Sequence, residues 1–160
     1  MVAYTAAVIT VSDLGSRGLR QDTSGPAVCA MLNEAGFTVV HTVMVPDEIE
    51  QIRAVLRDCA DVRHINLILT TGGTGLSPRD VTPEATLDVL DREIRAIPVA
   101  MWMEGLKITP RAMLSRAVAG TRGSSLIINL PGSEKAAREN LGAVIGALEH
   151  ALHMIAAEGH

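Results

Sequence analysis

An α/β domain with a mainly parallel sheet is what this chain predicts, on three observations. Strand-like and helix-like segments alternate along most of its length, the pattern of repeated β-α units. Several apolar strand runs end directly in glycine- or hydroxyl-rich loops, and open α/β sheets bind ligands at the carboxyl ends of their strands. The core must also be aliphatic, because 48% of the 160 residues are hydrophobic yet Trp, Tyr and Phe occur once each. The whole span 1–160 is read as one domain, long enough to bury roughly two-thirds of its unfolded surface.

Taken in order, residues 6–12 (AAVITVS) read as a buried strand, and a polar loop follows from Asp13 to Thr23. Ser24-Gly25-Pro26 then supplies a capping hydroxyl and a proline near the first helical position. Val28, Met31, Leu32 and Ala35 share one face of that helix, and Gly36 is placed to end it with a left-handed cap. Residues 37–45 are β-branched and strand-like. Pro46 breaks them, Asp47 is placed to cap the next helix, and Ile49, Ile52, Leu56 and Cys59 give its apolar stripe.

Residues 66–70 (NLILT) form a short apolar run suited to a buried central strand. Thr71-Gly72-Gly73-Thr74-Gly75 comes directly after it, and Thr82-Pro83-Glu84 opens another helix. Residues 98–116 read as two short helical pieces broken around Thr109-Pro110. Residues 125–130 (SLIINL) are the last clear strand. Pro131-Gly132-Ser133 turns from it into a long terminal helix with Leu141, Ile145, Leu148, Leu152 and Ile155 on one face.

Composition narrows the function. The shortage of aromatics removes the stacking platforms of single-strand binders, and a net charge of −4 lacks the basic excess of a duplex binder. No nucleic-acid partner is expected. Cys29 and Cys59 each fall inside an apolar helical pattern, which points to reduced thiols in a reducing compartment. Met1-Val2-Ala3-Tyr4 carries no basic leader segment, and no apolar run reaches the roughly 18–20 residues of a membrane span. A soluble, cytoplasmic protein without a membrane partner is the expectation.

Three loops hold the groups that bind phosphate. In residues 71–80 (TGGTGLSPRD) glycines let backbone amides approach an anion closely, and a helix follows. The loop is neither a Walker A motif nor the G-x-G-x-x-G fingerprint. Pro131-Gly132-Ser133 is the second, with Asn129 near the strand end; plain helix capping by Ser133 explains it equally well. Residues 12–24, rich in hydroxyls and glycines, suit a phosphate site and equally a surface connection. Asp47 reads as a helix cap or a metal ligand, and Asp80 as a turn residue or a metal ligand. Magnesium on a triphosphate is typically held by one or two carboxylates plus substrate oxygens. His150 and His153 lack a third ligand for zinc.

The stretches ITVSD (9–13), DTSG (22–25), VPDE (45–48), LILTTGGTGLSPRDVTPEAT (67–86), LKITPRAMLSRAVAGTRGS (106–124) and LIINLPGS (126–133) resemble the molybdopterin adenylyltransferase family, which includes the G domains of gephyrin and its plant counterpart. The similarity runs from about residue 6 to residue 155. It implies a three-layer α/β/α fold assembled as a homotrimer. The reaction implied is Mg²⁺-dependent transfer of AMP from ATP to the terminal phosphate of molybdopterin, whose product passes to a downstream molybdenum-insertion protein. By the same resemblance Asp47 and Asp80 are the functional aspartates at the metal. Gly72, Gly73, Thr74, Gly75, Ser115, Pro131 and Gly132 bind nucleotide phosphate, and Ser12, Asp13 and Asn129 contact the pterin. Gly105 departs from relatives that carry Ser there. A molybdopterin-binding relative with little transfer activity, a nucleotide-diphosphate hydrolase and a scaffold on the same fold remain as alternatives.

Overall fold

The computed structural model describes residues 3–157. Met1 and Val2, part of the N-terminal stretch read for a leader, lie outside them. Six strands form one sheet in the order β2-β1-β3-β6-β5-β4. β1 (Thr5–Val11), β2 (Thr38–Val45), β3 (Leu67–Thr71) and β6 (Ser125–Leu130) are parallel neighbours. β5 (Ala119–Arg122) runs antiparallel to β6, and the two-residue β4 (Arg92–Glu93) runs antiparallel to β5. The mainly parallel sheet is thus as the sequence predicts, with an antiparallel edge that the sequence pattern leaves unseen. β5 carries Gly120 and β4 only two exposed residues, so neither makes an apolar run.

Strand residues alternate between two cores. Ala6, Val8, Leu67, Leu69, Leu126, Ile128 and Leu130 face one side, where α2 (Ser24–Glu34), α5 (Ala96–Leu106) and α6 (Glu134–Ala156) pack through residues such as Leu32, Met101 and Leu148. Ala7, Ile9, Val11, Ile68 and Ile127 face the other, against α3 (Ile49–Arg57) and α4 (Thr82–Leu87). Each fully buried Leu or Ile contributes roughly 1.5–3 kcal/mol. Two cores on one sheet make the three-layer α/β/α sandwich.

Local signals mostly act as expected. Gly36 takes φ +95 beyond α2, and Ser133 caps α6 by accepting from the Ala136 amide at 3.1 Å. The polar loop after β1 holds one further helical turn, α1 (Asp13–Ser16), capped by Ser12, whose hydroxyl accepts from Gly15 N at 2.9 Å. Ser24 opens α2 but does not cap it; Asp22 accepts from the Gly25 amide at 2.9 Å instead. The stripe on α3 runs on through a π-helical turn (Asp58–Val62) that carries Cys59 into the core. Both cysteines are free thiols, and burial pushes Cys59 up to about 11. Among the described residues no helix is long and apolar enough to cross a membrane.

β1 connects to β2 on one side of the sheet, whereas β3 lies on its other side. The carboxyl ends of β1 and β3 therefore flank a reversal of strand order, the place where such sheets open a ligand crevice.

Candidate active site

A cleft of about 530 Å³ opens at that reversal, lined from the ends of β1, β2, β3 and β6. Ser12 and Asp13 enter it from β1, Asp47 from β2, Gly72, Gly73 and Asp80 from the loop after β3, and Gly132 and Ser133 from the turn after β6. Segments as far apart as residues 12 and 133 thus meet in one site.

The glycine turn is shaped by its neighbours. Gly72 and Gly73 take φ +96 and +69, left-handed values that side chains rarely adopt. A Cβ on Gly72 would strike the Val11 carbonyl, and one on Gly73 would strike the Thr82 hydroxyl and stand 3.1 Å from Asp47 Oδ1. Gly72 N donates to Leu130 O at 3.1 Å and Thr82 N to Gly73 O at 3.1 Å, which ties the turn to β6 and α4. Gly132 packs against it, a Cβ there reaching 3.3 Å from Gly72 Cα. Thr74 and Gly75 lie past the cleft. Thr74 is buried and its carbonyl accepts from Arg116 N at 2.8 Å, while Gly75 backs onto Asp80.

Asp47, a candidate cap for α3, does not cap it; Glu48 occupies that position and makes no side-chain cap bond. Asp47 Oδ2 instead accepts from Asp13 N at 2.9 Å, and Asp13 Oδ1 accepts from Asp47 N at 3.0 Å. Arg79 forks onto both Asp13 oxygens at 3.0 Å and onto Glu48 at 2.9 Å. Arg79 holds the Asp13 carboxyl below the ordinary carboxylate value. Burial raises Asp47, and the nearby Asp13 and Asp80 charges add to it. Two adjoining aspartates are therefore driven apart in proton affinity. Asp80 Oδ2 accepts from Ser77 N at 3.1 Å, so it serves its turn and still faces the cleft.

Across the Pro131–Ser133 turn lies a second cavity of about 410 Å³, lined by Ser115, Pro131, Ser133, Arg111 and Lys135 among others. Ser115 and Pro131 belong to it rather than to the glycine cleft, while Ser12 and Asp13 share the cleft with the glycine turn. The resemblance divides these residues between nucleotide and pterin differently from the way the fold groups them. Gly105 also borders the second cavity, and a Cβ there would press within 2.8 Å of Ala112 Cβ, so a serine would shift the short 3₁₀ turn at Pro110–Leu114.

Asn129, expected by resemblance at the pterin, lies in the interior of the fold. It is fully buried in β6; its amide donates to Thr70 Oγ1 and Thr86 Oγ1, each at 3.0 Å, and accepts from Val118 N at 3.2 Å. Every polar atom of the side chain is committed to the interior, so it joins β3, α4 and the β5 approach instead of lining a cavity.

Arg116, in contrast, goes unnoticed in the sequence. Its guanidinium donates to Gly75 O at 2.8 Å, to Asp80 O at 2.7 Å, and to both Glu84 oxygens. It clamps both ends of the glycine loop to α4. An arginine between Ser115 and Ala117 carries no local signal for that; its partners lie 32–41 residues away in sequence.

Left-handed glycines, paired acids and a strand-order reversal meet in one cleft of a three-layer α/β/α domain. The chain belongs to the molybdopterin-binding domain family: residues 7–150 match its model, described as a probable molybdopterin binding domain. It is 47% identical to gephyrin of Dictyostelium discoideum over 95% of this chain, but spans only 22% of that relative's length. It is 41% identical to the molybdopterin adenylyltransferase of Helicobacter pylori strain J99, covering 92% of this chain and 85% of that one. The molybdopterin biosynthesis enzyme MoaB from Thermus thermophilus superposes with a TM-score of 0.92 at 50% identity, covering 97% of this chain and 98% of that structure.

Proposed function

We propose that this chain, acting as one domain over residues 1–160, is a molybdopterin adenylyltransferase of molybdenum-cofactor biosynthesis. The observation that carries this reading is the placement of Asp47 and Asp80 in one cleft around the Gly72–Gly73 turn, with a second cavity directly across Gly132 and Ser133. Two substrates that react with each other need two sites that meet.

The charges of the two cavities suit different ligands. Asp22, Asp47 and Asp80 outnumber Arg20 in the glycine cleft, where Arg79 already pairs Asp13, so a triphosphate is better accommodated there with a metal. Arg111 gives the second cavity a positive charge for a phosphorylated pterin, and Lys135, which also lines it, is paired with Glu139 at 3.7 Å. Asp47 and Asp80 would hold Mg²⁺: among the described residues Asp47 Oδ1 accepts no hydrogen bond, and the Asp80 charge lies near enough to help raise the Asp47 carboxyl. Bound there, Mg²⁺ supplies charge neutralisation for the phosphates of ATP.

In the transfer, an oxygen of the molybdopterin terminal phosphate attacks the α-phosphorus of ATP. The α–β phosphoanhydride breaks and pyrophosphate leaves. The attacking phosphate is already ionised, so no side chain has to remove a proton, and Asp47 and Asp80 act in metal binding and positioning. Gly72 and Gly73 allow the triphosphate to approach the backbone closely. Ser12 and Ser133 stand at the borders of the cleft as further hydroxyl contacts.

A homotrimer, a cytoplasmic location and delivery of product to a molybdenum-insertion protein complete the proposal, with neither nucleic acid nor membrane as partner. The exposed Val99, Met103 and Leu106 on one face of α5 support self-association. The test is incubation of the purified protein with molybdopterin, ATP and Mg²⁺, followed by chromatography. Adenylylated pterin and pyrophosphate, lost in Asp80→Asn, are expected. No product despite tight molybdopterin binding would leave the binding-only relative as the better account.

A further inference from the structure

Thr82, the first residue of α4, is fully buried, and among the described residues its hydroxyl oxygen is one of three buried side-chain N or O atoms without a hydrogen-bond partner. Buried hydroxyls are normally paired, because leaving one unpaired costs its full desolvation. The rest of Thr82 is bound on both sides: its amide donates to Gly73 O at 3.1 Å, and its carbonyl accepts from Thr86 Oγ1 at 2.8 Å. Thr86 in turn accepts from Asn129 at 3.0 Å. The residue is therefore held firmly with its hydroxyl directed at the space in front of Gly73, the point where a Cβ would collide with Thr82 Oγ1 and stand 3.1 Å from Asp47 Oδ1. The absent side chain of Gly73 leaves these two oxygens with nothing between them. One is a donor without an acceptor. The other is the Asp47 oxygen that the Asp13 amide does not occupy.

Resting on the proposed metal role of Asp47, we infer that Thr82 is a positioning residue: when a divalent cation and nucleotide bind, its hydroxyl donates to Asp47 Oδ1 and fixes the carboxylate towards the metal. In this structure Thr82 Oγ1 has no hydrogen-bond partner, and a modest shift of the Asp47 side chain or the Gly73 turn brings the two atoms together. The unpaired hydroxyl is then a cost to the fold that donation to Asp47 removes, as expected where local conflicts in a fold serve its site. Partners that orient a metal ligand typically govern affinity by 10–100-fold.

The variants are Thr82→Val, which keeps the shape and removes the hydroxyl, and Thr82→Ser, which keeps the hydroxyl. Two quantities are measured on each: the thermal midpoint without ligand, and Mn²⁺ affinity by calorimetry with the non-transferable α,β-methylene analogue of ATP present. Thr82→Val is expected to melt about 2–4 °C above the parent without ligand, having lost an unpaired buried group. It is expected to bind Mn²⁺ at least about tenfold more weakly, while Thr82→Ser stays within about threefold of the parent. A purely structural threonine gives the opposite pattern, a lower midpoint with Mn²⁺ affinity unchanged, and that result overturns the inference. Equal weakening in the serine and valine variants overturns it too. Parent protein that binds Mn²⁺ and the analogue normally but makes no adenylylated pterin defeats the proposed reaction alone, and the comparison of affinities still decides the role of Thr82.

Discussion

Asp13 and Asp47 each donate a backbone amide to the other's carboxylate, at 2.9 and 3.0 Å, although they follow different strands. The exchange locks the carboxyl ends of β1 and β2 together and leaves two acids side by side in one cleft. Arg79 neutralises Asp13 on both oxygens, so the uncompensated charge falls on Asp47. That asymmetry leaves Asp47 as the acid with most to gain from a cation.

Asp47→Asn tests it through stability. The Asp47 carboxyl is raised by burial above its ordinary 3.8, so the native state binds more protons than the unfolded chain between 3.8 and the raised value. Stability contributed by this group is therefore full below 3.8 and falls as pH rises through that window. Asp13 runs the other way, its depressed carboxyl stabilising above 3.8 and losing that contribution as pH falls. In metal-free buffer Asp47→Asn, which keeps an oxygen for the Asp13 amide, should be more stable than the parent at pH 7 and equal to it near pH 3. Adenylyl transfer should fall by about 10²-fold or more. Urea unfolding across pH 3–8 reads the first; an advantage that persists at pH 3 contradicts the assigned cause.

Arg116 should matter through its geometry more than its charge. It bonds two loop carbonyls and one carboxylate, which a lysine ammonium cannot span as a planar fork. Arg116→Lys and Arg116→Ala should both lower activity by about tenfold or more, because the glycine loop loses its clamp. The stability cost should be only about 1–2 kcal/mol, since the group is partly exposed. Equal activity of the lysine variant and the parent would show that charge alone suffices.

Gly73→Ala puts a methyl where Thr82 and Asp47 converge, on a residue at φ +69. The left-handed backbone and the collision should together cost about 2–3 kcal/mol and abolish transfer. Gly123→Ala is the matched control, with φ +54 and open space around its Cβ. It should cost about 1 kcal/mol and leave transfer intact. Chemical denaturation and the product assay on both variants separate crowding at the site from backbone strain alone.

The main parallel strands, the long helices and the loops bearing Asp47, Asp80 and the glycine turn were legible in the sequence because each is a local pattern. Aliphatic runs, a Pro near a helix start and a glycine doublet need no distant partner to be recognised. β4 and β5 escaped because pairing, of β5 with β6 and of β4 with β5, makes Gly120 and Arg92 strand residues, not propensity. The two-cavity division escaped because it depends on how the Pro131–Ser133 turn folds between Gly72 and Ser115. Asp47 looked like a cap for a related reason: an aspartate just before a helix has the right position, and only the approach of β1 diverts it to the Asp13 amide.

Asn129 separates a ligand contact from an interior one. Its side-chain amide links the Val118 amide to the Thr70 and Thr86 hydroxyls. Asn129→Ala leaves the Val118 amide without its side-chain acceptor and opens space between β3, β6 and α4, which should cost about 2–4 kcal/mol. The two hydroxyl oxygens lose only a donor, so the backbone amide sets the lower end of that range. Since the side chain touches neither cavity, molybdopterin and nucleotide affinities of the folded variant should stay within about threefold of the parent. Guanidinium unfolding and calorimetric titration give the two numbers. Unchanged stability with a large loss of pterin affinity would return Asn129 to the binding site; lost stability with affinity retained assigns it to the frame that holds Thr86 and, through it, Thr82.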